Sequence, residues 1–177
     1  VVIGQNVKKT LPYQFAHCAN LKSVVFPDGM ETIADGTCYM DSVLVEVNVP
    51  RSVTIVGTGA FASCAALEHI TIGSQTASEG KTMCMQAAAD ASTCGNTILD
   101  EGVFWGCEML KSVNLTDAVS EIREDAFRWC TALTSLTCAR ATPPVIDTNA
   151  FRYAEPSACT LYVPIDCAAS YRKNEVW

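Results

Sequence analysis

Val53 to Ile72 reads V-T-I-V-G-T-G-A-F-A-S-C-A-A-L-E-H-I-T-I. Its landmarks are Val53, Val56, Ala60, Phe61, Cys64, Leu67, Ile70 and Ile72, and they return along the whole chain. With Phe61, Cys64 and Leu67 as a ruler, Cys38, Asp41 and Leu44 stand 23 positions earlier. Phe15, Cys18 and Leu21 stand 23 before those. Forward, a step of 43 reaches Phe104, Cys107 and Leu110, and 23 more reach Phe127, Cys130 and Leu133. A last step of 24 reaches Phe151. After each Leu come two apolar slots: Val24 and Phe26, Val47 and Val49, Ile70 and Ile72, Val113 and Leu115, Leu136 and Cys138. Such strict alternation in a short run reads as a strand with one buried face. Pro27, Pro50 or Gly73 ends the strand, and a compact segment with the Ala-Phe pair and the Cys follows.

A fixed period in this range with L-x-x-I-x-L in each unit is the mark of a leucine-rich-repeat solenoid. No unit can bury its own apolar face; stacking on neighbours buries it. The predicted fold is a right-handed solenoid with a concave parallel β-sheet of at least five strands, a mostly irregular or short-helical convex side, and a C-terminal cap. The stretch Val56-Gly57-Thr58-Gly59-Ala60-Phe61-Ala62-Ser63-Cys64-Ala65-Ala66-Leu67 resembles the BspA-like subclass of leucine-rich repeats, with its pattern I-G-x-x-A-F-x-x-C-x-x-L. The run Cys159-Thr-Leu161-Tyr-Val163-Pro164 reads as a final strand and, with Tyr171 and Trp177, resembles the terminal cap of such proteins from gut Bacteroidetes.

One domain is expected over residues 1–177, with about six repeats, an insertion at about 74–97 and a cap at about 141–177. Val1 and Ile3 fall in strand slots, so the chain is expected to start inside a repeat, with earlier repeats removed. Ser74–Thr97 breaks the period, and a short helix is plausible over Met83–Ala91 on propensity. Met83, Met85 and the Ala run are expected to fold back over the convex edge as a lid, with a soft apolar contact surface or an eroded repeat as the alternatives, and a local Cys84–Cys94 disulfide is one possibility for that pair. Ala141-Thr-Pro-Pro144 is expected to stop the strand ladder, since proline cannot donate to it. Asp166 is expected to cap a short final helix.

Composition narrows the function. The chain is 49% hydrophobic and 18% charged, with a net charge of −7. An acidic chain lacks the basic face that a sequence-independent grip on nucleic acid needs. No run of 18 apolar residues suggests a membrane span. Ten cysteines invite a disulfide reading. Yet Cys18, Cys64, Cys107 and Cys130 share one slot and Cys38 fills a Phe slot, which reads as reduced packing thiols.

Gly57-Thr-Gly59-Ala60-Phe61-Ala62 imitates a dinucleotide fingerprint. Leu67 opens the next strand too soon for the crossover that the fingerprint requires. His17 and His69 are the sole histidines, and both read as surface residues rather than as bases for a nucleophile. Glu124 and Asp125 read as a solvated charged turn. Neither C-x-x-C nor H-x-x-x-H occurs, so no catalytic residue, metal site or cofactor is expected.

What remains is the outward side of the sheet. Its x positions are Lys22, Ser23 and Val25; Val45, Glu46 and Asn48; Glu68, His69 and Thr71; Lys111, Ser112 and Asn114; Thr134, Ser135 and Thr137. These strands offer none of the Trp, Tyr and Arg that dominate hot spots. The resemblance implies a non-catalytic interaction or adhesion module of a secreted or cell-surface bacterial protein. Its partner would be a host matrix or cell-surface protein, and a monomer is favoured. The alternative is a structural spacer that presents another domain. An ordered aromatic or charged patch across three or more strands would favour the binding module.

Overall fold

The structure is a computed structural model that describes residues 1–74 and 95–177. In chain order the strands are β1 (Ser23–Val25), β2 (Thr32–Ile33), β3 (Glu46–Pro50), β4 (Ile55–Val56), β5 (His69–Ser74), β6 (Thr97–Leu99), β7 (Ser112–Leu115), β8 (Val119–Ile122), β9 (Ser135–Cys138), β10 (Val145–Ile146) and β11 (Thr160–Tyr162). Odd-numbered strands form one six-stranded sheet and even-numbered strands a five-stranded one. Every pairing is parallel and joins residues one repeat apart. Val47 pairs with Ile70, Ile70 with Val113 and Val113 with Leu136, the register read from the sequence.

The second sheet is an addition to the single strand per repeat expected above. Its inward column is Ile33, Val56, Leu99 and Ile122, all buried, and its pairs run Ile33–Val56, Val56–Leu99 and Leu99–Ile122. The turn that follows is also hydrogen-bonded from repeat to repeat. The amides of Phe61, Phe104 and Phe127 donate to Val103 O, Ala126 O and Ala150 O at 2.8–2.9 Å. Buried backbone groups need partners, and stacking supplies them even where the chain is irregular.

Between the sheets lies the core. Ile70 and Ile72, with their counterparts in neighbouring strands, are buried. Each such side chain contributes about 1.5–3 kcal/mol. Phe61, Phe104, Phe127 and Phe151 form a continuous ring stack, with centroids 5.7, 5.4 and 5.1 Å apart. The thiols form a parallel file. Cys64 Sγ donates to Cys38 O at 3.0 Å, Cys107 to Phe61 O at 3.1 Å and Cys130 to Phe104 O at 3.3 Å. The eight cysteines among the described residues are all free.

Several expectations are revised. Cys18 is exposed rather than buried. Asp41, in the Cys slot, is fully buried. Its Oδ1 accepts the Cys18 amide at 2.7 Å, while its Oδ2 has no partner. The prolines at 143 and 144 do not stop the ladder; β10 pairs with β8 and β11 with β9 beyond them. They occupy the corner between the sheets, where no donor is required. Asp166 caps nothing. It lies inside a 3-10 turn, Ile165–Cys167, ahead of the short helix α1 (Ala168–Tyr171). The cap closes through Tyr171, whose hydroxyl donates to Arg140 O at 2.8 Å, and Trp177, whose indole donates to Pro144 O at 3.2 Å.

The step from Val56 to its partner Leu99 is the long one. A side chain at Gly73 or at Gly95 would collide with Ala118, so the two ends of the inserted segment meet at one place. The expected helix, the Met83–Met85 lid and the Cys84–Cys94 pair lie outside the described residues.

Candidate functional site

The outward side of the long sheet carries three rows. Ser23, Glu46, His69, Ser112 and Ser135 stand in register, and Thr160 extends that row. Val25, Asn48, Thr71, Asn114 and Thr137 form the second, which Tyr162 of β11 extends. In the third, Glu68 and Lys111 meet at 2.8 Å, and the ammonium holds the Glu68 carboxylate below its usual range. Lys22 is exposed at the start of the same face. The surface is polar, small and flat. Tyr162 of β11 brings a large ring to this face.

His69 Nδ1 lies 2.7 Å from Ser112 Oγ, and its Nε2 is 3.8 Å from Glu68 Oε2. The 43-position step puts Ser112 in the slot of His69, and the sheet sets the two side by side. The trio imitates a hydrolase triad, but acyl transfer also needs donors aimed at a developing oxyanion. Here the amides of Lys111 and Ser112 are committed to Glu68 O in the ladder. The pair is a cross-strand hydrogen bond on an open face. His17 is exposed, as is Cys18 beside it. No group of three His, Cys, Asp or Glu side chains among the described residues has the arrangement of a metal site.

A second surface lies at the corner after the Phe column. The residues one position beyond the ruler Phe are Trp105, Arg128 and Arg152 in the last three repeats; those two beyond are Gly106, Trp129 and Tyr153. Trp105, Trp129 and Tyr153 are 46%, 42% and 55% exposed, well beyond ordinary core packing. Trp129 and Tyr153 stack with centroids 4.8 Å apart. The Arg128 guanidinium lies 5.6 Å from the Trp105 ring and 5.2 Å from that of Tyr153.

Asp125 ties the cluster together. It accepts from Arg152 at 3.0 and 2.7 Å and from Arg128 at 3.0 Å. Burial alone would raise its carboxyl; the two guanidiniums outweigh that and hold it below its usual range. Asp125 is therefore the clamp of an arginine pair, not a solvated turn residue. The outer slot is left-handed in every repeat: His17, Met40, Ser63, Gly106, Trp129 and Tyr153 have φ between 58° and 73°. Bulky residues rarely adopt this conformation, and here the repeat hydrogen bonds impose it. The cluster was hidden from sequence reasoning because its slots vary in residue type. The signal that could have found it was the bulk of Trp105, Trp129 and Tyr153 in positions outside the apolar period.

A further opening of about 120 Å³ lies under the cap, lined by Leu133, Leu136, Phe151, Leu161, Val176 and Trp177 among others. It is the far end of the core. Among the described residues no helix is long and apolar enough to cross a membrane.

Parallel sheets stacked one repeat per turn define a leucine-rich-repeat solenoid. The sequence matches the family described as BspA type leucine rich repeat region over residues 8–134 and 91–162, in six copies. The chain belongs to that family, whose repeats generally serve protein interaction. It is similar to a leucine-rich repeat protein from Eubacterium ventriosum, with 26% identity and a TM-score of 0.54, over 93% of this chain and 44% of that one. It also aligns with a leucine-rich repeat protein from Bacteroides ovatus at 17% identity and a TM-score of 0.42, over 92% of this chain and 54% of that one. The chain thus spans about half the length of these relatives. No curated protein matches it.

Proposed function

We propose that this chain is a non-catalytic interaction and adhesion module of a bacterial secreted or cell-surface protein, with a matrix or cell-surface protein as partner. The observation that carries the reading is the corner cluster: Trp105, Arg128, Trp129, Arg152 and Tyr153 span three consecutive repeats, with the two arginines held by Asp125 and the rings packed on one another and on Arg128. Trp, Tyr and Arg are the residues that dominate binding hot spots. Their side chains are ordered before any partner arrives, which lowers the entropy cost of association. A spacer has no need of such a patch. The outward sheet face (Lys22, Ser23, Glu46, Asn48, Glu68, His69, Thr71, Lys111, Ser112, Asn114, Ser135, Thr137) serves as a polar flank to that anchor.

The test is surface plasmon resonance against immobilised extracellular-matrix proteins. The combined change Trp105→Ala, Trp129→Ala and Tyr153→Ala should weaken binding by about a hundredfold or more. Lys111→Ala with Glu68→Ala should change it less than about tenfold. Equal binding by all three proteins would assign the contact elsewhere.

A further inference from the structure

The outer corner column is a stack that stops. Tyr153 and Trp129 lie ring on ring. In the next slot towards the N-terminus stands Gly106, which has no ring to continue the stack. Were a Cβ placed on Gly106, its three nearest neighbours would all be atoms of Ser63, with Oγ at 3.3 Å. Repeats succeed one another at about the strand spacing, roughly 4.8 Å, so the gap has the depth of one planar group. A puckered sugar is thicker than that step; an aromatic ring matches it.

Charge points the same way. Arg128, whose amide oxygen accepts from the Gly106 amide at 2.8 Å, shares its single carboxylate with Arg152.

We propose that the gap at Gly106 receives an aromatic side chain of a protein partner, stacked on Trp129, with a carboxylate of the same partner segment on Arg128. The inference rests on the corner being the interaction surface, and it names the chemistry that the corner takes. The partner's ring completes the column that Tyr153 and Trp129 begin. Gly106 is then a specificity position: a side chain there would fill the gap from within. The left-handed backbone there already carries rings at Trp129 and Tyr153 in the next two repeats, and Ser63 Oγ, 3.3 Å from a Cβ, has to yield by a few tenths of an ångström.

The experiment titrates the whole chain with the peptide acetyl-Asp-Gly-Tyr-Gly-amide and follows the indole N–H resonances by NMR. The Trp129 resonance should shift with saturation at millimolar peptide. Gly106→Tyr should keep the fold and weaken binding by about tenfold or more; Trp129→Ala should lose as much. Replacing the peptide's Asp by Asn should weaken binding severalfold, and added salt should narrow that difference. If Gly106→Tyr fails to fold, Trp129→Ala decides. No shift at Trp129, undiminished binding by Gly106→Tyr or Trp129→Ala, or an equal shift with methyl glucoside in place of the peptide would each overturn the proposal. The two readings separate cleanly. Matrix-protein binding that survives Gly106→Tyr but not the triple alanine change keeps the corner and removes the gap.

Discussion

The two ends of this solenoid share a register and differ in how they fill it. In the turns of Phe104 and Phe127, each Phe stacks on the preceding Phe and each thiol donates to a preceding carbonyl. In the first two turns Phe15 is half-buried, Cys38 replaces a Phe, Asp41 replaces a Cys and Cys18 is exposed. Phe61 turns instead to Phe26, just after β1, edge-on at 6.2 Å. The outer corner divides in the same way, with Trp105, Arg128, Trp129, Arg152 and Tyr153 all in the later repeats. In a chain of nearest-neighbour interfaces each junction carries its own stability. The ordered surface cluster stands on the well-packed half, where its geometry is held most firmly.

The largest test of this contrast is Phe104→Ala against Phe15→Ala. Phe104 is fully buried between two rings, and its loss should cost about 3–5 kcal/mol in urea denaturation. Phe15→Ala should cost less than half as much, and equal costs would erase the distinction.

Next are the thiols. Burial pushes Cys64 and Cys130 up to about 12 and Cys107 well above its ordinary value. Cys107→Ser should cost about 1–2 kcal/mol, since the hydroxyl inherits an acceptor, Phe61 O, but fits the slot less well. Cys18→Ser should lie within about 0.5 kcal/mol of the parent. In the folded protein iodoacetamide should label Cys18 and spare Cys107; rapid labelling at Cys107 would contradict its burial.

Asp41 gives a smaller effect with a sign. Burial raises its carboxyl above the ordinary value, against the Cys18 amide, the Cys38 thiol and His17, which lower it. The folded state therefore holds the proton more tightly than the unfolded chain does. That contribution is complete below the unfolded value, about 3.9, and is lost as pH rises through the folded one. Asp41→Cys should stabilise by about 1 kcal/mol near neutrality, and by less at about pH 4. A gain independent of pH would show that the carboxyl is not the weak point.

The smallest expected effect is at Trp129→Gly. Relief of the left-handed backbone, about 1 kcal/mol, offsets a lost ring stack of similar size. Melting should hardly move while the corner loses its anchor. A large fall in melting temperature would make Trp129 a structural residue.

The long sheet was legible because Val24 through Leu136 recur in alternation. The second sheet was not, although Ile33, Val56, Leu99 and Ile122 share a slot. Strands of two residues, such as Ile55–Val56, are too short to show a period of two. The candidate surface was hardest to see. Periodicity reveals what repeats must share, whereas Trp105, Arg128 and Tyr153 occupy slots the backbone leaves free to vary.

The file of thiols has a consequence for biogenesis. Once Cys64, Cys107 and Cys130 are folded, no oxidant reaches them, and their sulfurs lean on carbonyls rather than on one another. Before folding, all ten cysteines are open to any pairing. A chain released into an oxidising compartment thus runs a race between coiling and cross-linking. Short-range contacts favour coiling, because each turn needs only its neighbour. The outcome should depend on the supply of oxidase as much as on sequence: abundant oxidase would yield scrambled polymers, and scarce oxidase the reduced native coil.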